Sequence, residues 1–120
     1  MVISKFHYLT QDISTNSHEE LAETACKYGI RWIQLRVKNK SFDEWLQIAK
    51  NIKAICDRYN SVLIINDSVE ICKAVDADGV HLGKNDISIL EARKILGNNK
   101  IIGGTANTIE DFMQLENDGT

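Results

Sequence analysis

Two short apolar runs in the middle of the chain are separated by one amphipathic stretch. Residues 62–65 are four consecutive aliphatic residues, and residues 80–82 form a shorter run around His81. Turn-forming residues flank both runs, which predicts two buried strands. The intervening stretch, Ser68 to Asp76, has the spacing of one short helix. The sequence therefore predicts a strand, helix, strand unit over residues 62–86.

The same alternation of strand and helix patterns runs through the rest of the chain. Further strands are predicted at residues 2–9, 30–36 and 100–104, and further helices at residues 17–28, 41–59, 87–96 and 108–117. Ser17 and Ser41 each precede a Glu by three residues, the spacing of a capping box. Gly29 is suited to end the first helix. About five β-α units in succession predict a parallel α/β sheet with right-handed crossovers.

Two α/β architectures are equally compatible with this pattern. One is a (β/α)8 TIM-barrel type, of which the chain would cover about the first five β-α units. The other is a flavodoxin-like open sheet. A helix end followed by Gly recurs at Gly29, Gly79 and Gly119, and the last has no strand after it. We therefore expect residues 1–120 to form a single partial TIM-barrel domain that ends before a sixth strand.

Composition narrows the class of protein. The chain has 120 residues, no Pro and 43% hydrophobic residues, enough apolar material for one core. Its net charge of -3 argues against a general binder of nucleic acid or membrane surfaces, which needs a basic excess. No apolar run is long enough for a membrane span or signal peptide, so a cytoplasmic location is expected. The three cysteines show no metal-ligand spacing and are expected to be reduced core residues.

The second strand carries alternating polar residues. Gln34, Arg36 and Lys38 are separated by single apolar residues and so project from one face of an extended segment. Arg offers planar paired donors and Lys a point charge, a combination that suits a phosphate or diphosphate. The alternative is a solvated edge strand, since residues 38–40 also have the character of a charged loop. Spacing alone leaves both interpretations open.

Two carboxylates follow the central strands. Because parallel strands end at the same edge of a sheet, Asp67 and Asp86 are expected to approach each other. Beside an anion site, such a pair would place Mg²⁺ where it bridges phosphate oxygens. The alternative is helix N-capping, because each Asp precedes a helical pattern. Asn66 can likewise simply close a turn.

Two further features carry weaker signals. The Gly103-Gly104-Thr105 segment precedes a predicted helix, where glycines and exposed N–H groups suit an anion, although a tight turn explains it equally. His81 alternates with Gly79 and Gly83, and no partner is evident nearby in the sequence. We interpret His81 as a core or barrel-wall residue rather than a general base.

Four motifs occur in order and span essentially the whole chain. They are Gln34-Leu35-Arg36-x-Lys38, Ile65-Asn66-Asp67, Ala77-Asp78-Gly79-Val80-His81-Leu82-Gly83-x-x-Asp86 and Ile102-Gly103-x-Thr105-x-x-Thr108. In these motifs the chain resembles the thiamine-phosphate synthase family. Proteins of that family are (β/α)8 barrels that join hydroxymethylpyrimidine diphosphate to hydroxyethylthiazole phosphate, releasing diphosphate with Mg²⁺ present.

The resemblance implies a role for each matching residue. The pyrimidine diphosphate would be bound by Gln34, Arg36, Lys38, Asn66 and Thr105. The Mg²⁺ ligands would be Asp67 and Asp86. Arg36 and Lys38 would also act in catalysis, by stabilising charge that develops on the leaving diphosphate. The two small-molecule substrates would be the partners, without nucleic acid or membrane, and a homo-oligomer is compatible with this role.

The chain departs from the family pattern at three positions. Thr105 stands where Ser is common, Asn107 where His is common, and Lys84 where Gln is common. The family's thiazole-phosphate loop and a further diphosphate lysine would lie beyond the sixth strand, outside this chain. Two alternatives therefore stay open: a thiazole tautomerase-like paralogue, and a noncatalytic half-barrel that acts as a binding or assembly module. Retention of the whole diphosphate and metal set favours the synthase.

Overall fold

Nine regular elements alternate along the described part of the chain. The computed structural model describes residues 8–10, 17–83 and 86–104. The strands are β1 (Tyr8–Thr10), β2 (Trp32–Leu35), β3 (Val62–Asn66), β4 (Gly79–Leu82) and β5 (Ile101–Gly104). The helices are α1 (His18–Lys27), α2 (Phe42–Tyr59), α3 (Val69–Val75) and α4 (Ile89–Leu96). The predicted helix at 108–117 and most of the predicted first strand lie outside the described residues.

The five strands pair in chain order to form one parallel sheet. Each strand is hydrogen-bonded to the next, in the order β1-β2-β3-β4-β5. A flavodoxin-like sheet instead reverses its order after the first two strands. The sequential order is that of a (β/α)8 barrel, so the α/β prediction is confirmed and the open-sheet alternative is wrong.

Serine caps set the starts of the helices. Ser17, Ser41, Ser68 and Ser88 each accept a hydrogen bond from the backbone N–H three residues further on. Helix α4 therefore begins at Ile89, two residues later than the pattern predicts. The helix caps predicted at Ser17 and Ser41 are confirmed, and each serine hydroxyl also donates to the carboxylate of the Glu three residues further on. Gly29 adopts a φ of 90°, which favours glycine and ends α1.

The two faces of the sheet differ in composition. One, the helix face, packs its apolar side chains against α1 to α4; its strand residues are Ile33, Leu35, Leu63, Ile65, Val80, Leu82 and Ile102. Because side chains alternate along a strand, the residues between them lie on the other side, which we call the site face. The site face carries Trp32, Gln34, Ile64, Asn66, Gly79, His81, Ile101 and Gly103.

All three cysteines are buried in the core, as expected. Burial raises the pKa of the Cys56 thiol to about 12 and that of Cys72 to about 11. Both thiols are therefore protonated at neutral pH and are poor nucleophiles. Among the described helices, including the 18-residue α2, none is apolar enough to cross a membrane.

Candidate functional site

The carboxyl ends of β2, β3 and β4 bring the candidate residues to one edge of the sheet. Leu35 pairs with Ile65, so continuing the register by one residue places Arg36 level with Asn66. Asn66 in turn pairs with His81, which pairs with Gly103. Parallel pairing thus converts residues far apart in sequence into neighbours in a single row.

Asp67 does not cap helix α3. The hydroxyl of Ser68 accepts the N–H of Ile71 at 3.1 Å and fills that role. Asp67 instead adopts a φ of 72°, a left-handed conformation uncommon for a residue with a side chain. Its backbone N–H donates to the His81 carbonyl oxygen at 2.8 Å, which ties the turn to β4. The Asp67 carboxyl group is therefore left for another purpose.

Asp86 does not cap helix α4 either. Ser88 caps that helix by accepting the N–H of Glu91 at 3.1 Å. One Asp86 carboxylate oxygen accepts the backbone N–H of Gly83 at 2.7 Å, which fixes the side chain against the end of β4. The capping interpretation is thus wrong for both aspartates.

The two carboxyl groups meet above Gly83. A methyl group added there would lie 3.2 Å from Asp86 Oδ2 and 3.8 Å from Asp67 Oδ1. Partial burial raises the pKa of Asp67, and the hydrogen bond and charge of Asp86 raise it further. His81 and Arg36 act in the opposite direction on the same pKa. Two carboxylates this close repel each other when both are charged, and a cation bound between them would relieve that repulsion.

This donor set suits a hard cation. Mg²⁺ prefers oxygen ligands and is commonly held by one or two carboxylates, with water and substrate phosphates completing its coordination. The described residues contain no group of three or more His, Cys, Asp or Glu side chains that could enclose a metal. The pair formed by Asp67 and Asp86 therefore fits a metal shared with a phosphate ligand better than a closed structural metal site.

Strand β2 ends at Leu35, so the predicted basic residues Arg36 and Lys38 follow the strand at this edge instead of lying on it. Arg36 is half-buried and close enough to Asp67 to affect its ionisation. Lys38, two residues after Arg36, is exposed. Gln34, two residues before Arg36 and within β2, is half-buried. The structure thus brings a guanidinium group beside the carboxylate pair. The predicted contact residue Thr105 lies outside the described residues.

Asn66 is the most buried polar residue of the candidate site. It is only 9% exposed, and within the described part of the chain its Oδ1 atom has no hydrogen-bond partner. Leaving a buried acceptor unpaired costs about 1–3 kcal/mol, so a ligand with a complementary donor is a natural partner. A turn-closing role does not explain an unpaired oxygen at this position.

The sequence interpretation of His81 as a core or barrel-wall residue did not identify its neighbours in the sheet. The structure places His81 on the site face, beside Asn66 and near Asp67. The sequence feature that could have indicated this position is the alternation of His81 with Gly79 and Gly83, because glycines on either side leave room for one large side chain. That pattern was assigned to packing because the neighbours of His81 come from β3 and β5.

Comparisons with known proteins agree on one family. A sequence model described as thiamine monophosphate synthase matches residues 7–120. The chain is similar to the thiamine-phosphate synthase of Flavobacterium psychrophilum, with 43% identity over 92% of this chain and 54% of that protein. It is also similar to the thiamine-phosphate synthase of Clostridium tetani, with 48% identity over 84% of this chain and 48% of that protein.

A solved structure shares the fold. The thiamine phosphate pyrophosphorylase from Pyrococcus furiosus superposes with a TM-score of 0.86 and 32% identity. The match covers 95% of this chain and 56% of the other. The chain thus spans about half the length of the proteins it matches.

Proposed function

Because the chain belongs to the thiamine monophosphate synthase family, we propose that it supplies the pyrimidine-diphosphate and Mg²⁺ part of a thiamine-phosphate synthase. The reaction is a transfer that joins hydroxymethylpyrimidine diphosphate to hydroxyethylthiazole phosphate and releases diphosphate. The observation that carries the proposal is the pair of carboxyl groups above Gly83, which no helix cap uses.

In this proposal Asp67 and Asp86 hold Mg²⁺. When bound, the ion neutralises charge on the diphosphate as that group leaves. The Gly83 N–H keeps the Asp86 carboxylate in place through its 2.7 Å hydrogen bond. The left-handed turn at Asp67 leads directly into α3, whose cap is Ser68, so the Asp67 carboxyl group is not used as a helix cap.

The cationic side chains would bind the leaving group. Arg36 and Lys38 follow the end of β2 two residues apart, close enough in the chain for both to bind the same diphosphate. Cations fixed in position before the reaction stabilise developing negative charge without reorganising. This pathway needs no nucleophilic side chain, which agrees with protonated, core-buried thiols at Cys56 and Cys72.

The remaining predicted contacts would orient the substrate. Asn66 and Gln34 lie on the site face below the carboxylates, where amide groups can bind the polar edge of the aminopyrimidine. Thr105 would add a hydroxyl contact. Correct orientation of a reacting group supplies a large part of the rate in such transfers. We place this activity in the cytoplasm, with small-molecule substrates as partners, without nucleic acid, and with a homo-oligomer compatible with the role.

The presence of Arg36 and Lys38 together with Asp67 and Asp86 favours the synthase over a thiazole tautomerase-like role. A tautomerase acts on one thiazole substrate and has no use for a carboxylate pair beside basic residues. A noncatalytic half-barrel module would equally leave Arg36, Asp67 and Asp86 without a purpose.

Isothermal titration with hydroxymethylpyrimidine diphosphate, with and without Mg²⁺, tests the proposal. We expect metal-dependent binding by the unaltered chain and a loss of about tenfold or more in affinity in Asp67→Asn, because the variant lacks one ligand charge. Ser68→Ala is the matched control, since it removes the adjacent cap and costs about 1 kcal/mol of stability without touching the carboxylates.

Two outcomes would contradict the proposal. One is binding that does not depend on Mg²⁺ and is unchanged in Asp67→Asn. The other is equal loss of affinity in both variants, which would mean that the turn matters only for folding. If the folded, unaltered chain does not bind hydroxymethylpyrimidine diphosphate, the proposal that these residues form the pyrimidine-diphosphate site is wrong.

A further inference from the structure

Strands β4 and β5 interlock on the site face by pairing a large side chain with a glycine, twice. Gly79 pairs with Ile101, and a methyl group at Gly79 would lie 2.7 Å from Ile101 Cβ. His81 pairs with Gly103, and a methyl group at Gly103 would lie 3.2 Å from His81 Cδ2. The imidazole of His81 therefore extends sideways over the bare backbone of β5.

This placement fixes the ring beside the ligand groups of the candidate site. On its other flank His81 pairs with Asn66, whose buried oxygen has no partner among the residues that the structure describes. The Asp67 backbone N–H donates to the His81 carbonyl oxygen at 2.8 Å, so the candidate metal ligand follows directly after the paired residues Asn66 and His81. Arg36 lies level with Asn66 by the register of β2 and β3, so the half-buried His81 belongs to the same row of residues at this edge of the sheet.

We propose that His81 is a further substrate-contacting residue, whose ring N–H donates a hydrogen bond to the bound diphosphate group, and that Gly103 is a positioning residue for that ring. The inference rests on the proposed function and deepens it. A neutral imidazole always carries one N–H donor, so the contact needs no change of protonation. The acceptor in this proposal is the diphosphate that Arg36 and the bound Mg²⁺ would attract.

Gly103 makes this geometry possible for a steric reason. A Cβ atom 3.2 Å from the ring is closer than ordinary van der Waals contact, so any side chain at residue 103 would push the imidazole away from β5. The ring would then have to shift by a few tenths of an ångström, away from β5 and relative to the carboxylates. The glycine acts through His81 and needs no contact with substrate.

Titration calorimetry with inorganic diphosphate and Mg²⁺ tests the inference, using the chain together with three variants at residue 81. His81→Phe keeps a flat ring and removes the donor, and we expect about tenfold or more weaker binding at an unchanged Tm. His81→Asn and His81→Gln each place an amide N–H near one of the two ring nitrogens. We expect at least one of them to restore affinity to within about threefold of the unaltered chain.

Gly103→Ala supplies a second, independent variant. The imidazole is kept but displaced, so diphosphate binding should weaken severalfold. Binding of hydroxymethylpyrimidine without its diphosphate is the specificity control, because it should change little in any variant. If His81→Phe does not fold, Gly103→Ala decides the question by the same comparison.

The outcomes separate this inference from the proposed function. Mg²⁺-dependent binding that is unchanged in both His81→Phe and Gly103→Ala would overturn the role of His81. It would leave the proposed role of Asp67 and Asp86 in binding Mg²⁺ intact. Equal losses for the diphosphate ligand and the diphosphate-free pyrimidine would overturn the role of His81 too, by showing general damage to the site. If the unaltered chain binds no diphosphate with Mg²⁺, both proposals fall together.

Discussion

The helix face and the site face of the sheet are built from alternate residues of the same strands, yet they follow different rules. In β2, β3 and β4 every strand residue on the helix face is a buried aliphatic side chain packed against helices. On the site face amides, a histidine and glycines share the surface with Trp32 and Ile64, which are buried outside that core. Adjacent residues of one strand thus have different roles: one packs in the core and the next faces the candidate site.

The difference shows what each face requires of the sequence. The helix face needs volume and apolar character, requirements that several residue types can meet. The site face needs particular atoms in particular places, including positions with no side chain at all, such as Gly79 and Gly103. Substitutions on the two faces should therefore have separable effects on unfolding and on ligand binding.

Ile65→Ala on the helix face should have the largest effect on stability. Ile65 is fully buried, and removing its side chain leaves a cavity that costs about 2–5 kcal/mol. Urea unfolding followed by circular dichroism measures this loss. In the fraction that remains folded, diphosphate affinity should be unchanged, and a selective loss of binding would contradict the separation of the two faces.

Gly79→Ala should have the next largest effect on stability. It tests the comparison from the site face, because it should destabilise the fold although residue 79 does not face the helices. The added methyl group would meet the backbone carbonyl and Cβ of Ile101, which cannot move without separating β4 from β5. We expect a cost of about 2 kcal/mol from overpacking, measured by the same unfolding experiment. Gly103→Ala is the control, because it meets a side-chain ring instead of backbone, and it should lower stability less. Equal losses of stability in Gly79→Ala and Gly103→Ala would argue against a tighter contact between β4 and β5 at Gly79.

Ser88→Ala and Asp86→Asn sharpen the comparison at the end of β4. Ser88 caps α4, so its replacement should lower the free energy of unfolding by about 1 kcal/mol and leave Mg²⁺-dependent binding intact. The amide oxygen that Asp86→Asn introduces can still accept the Gly83 N–H, while repulsion towards Asp67 is removed. We therefore expect little change in Tm for Asp86→Asn but weaker binding. The reverse pattern would restore the capping interpretation.

Asp76→Asn should have the smallest effect and provides a pH test away from both faces. The hydrogen bond from Lys100, at 2.5 Å, and the charge of Lys100 lower the pKa of Asp76. A carboxyl pKa that is lower in the folded chain than in the unfolded chain stabilises the fold above the unfolded pKa. That stabilisation is lost as the pH falls through the folded pKa.

The variant should therefore melt slightly lower than the unaltered chain at neutral pH. The difference should vanish in strong acid, where both chains lack the charge. Asn is suitable here because residue 76 has a φ of 55°, which Asn adopts readily. A difference in Tm that persists in acid, measured by calorimetric melting across pH, would assign the effect to the helix end instead of the ion pair.

Local patterns were enough to place most elements. The helix caps at Ser17 and Ser41 and the glycine at the end of α1 are determined within a few residues, because hydrogen bonds of this kind join near neighbours. The aliphatic run of β3 likewise indicated a buried strand. The start of α4 was misplaced by two residues because Ile87 fitted the apolar pattern, while the Ser88 cap was overlooked.

The candidate site was only partly accessible to the same reasoning. Arg36, Asp67 and Asp86 could be named because polar residues at strand ends are visible in the sequence. Whether the aspartates cap helices or face each other could not be decided, since each Asp precedes a helical pattern and Asp is a favoured cap. His81 was interpreted only as a core or barrel-wall residue, because its partners Asn66 and Gly103 are distant in the chain.

By itself, then, the sequence determined the alternation of strands and helices, the apolar helix face and the set of polar side chains available at the strand ends. Those features depend on local periodicity and on hydrogen bonds between near neighbours. Only the tertiary structure decided the sequential strand order, the meeting of Asp67 and Asp86 above Gly83, and the fit of His81 over Gly103. These depend on register between strands, which brings together residues that no local pattern connects.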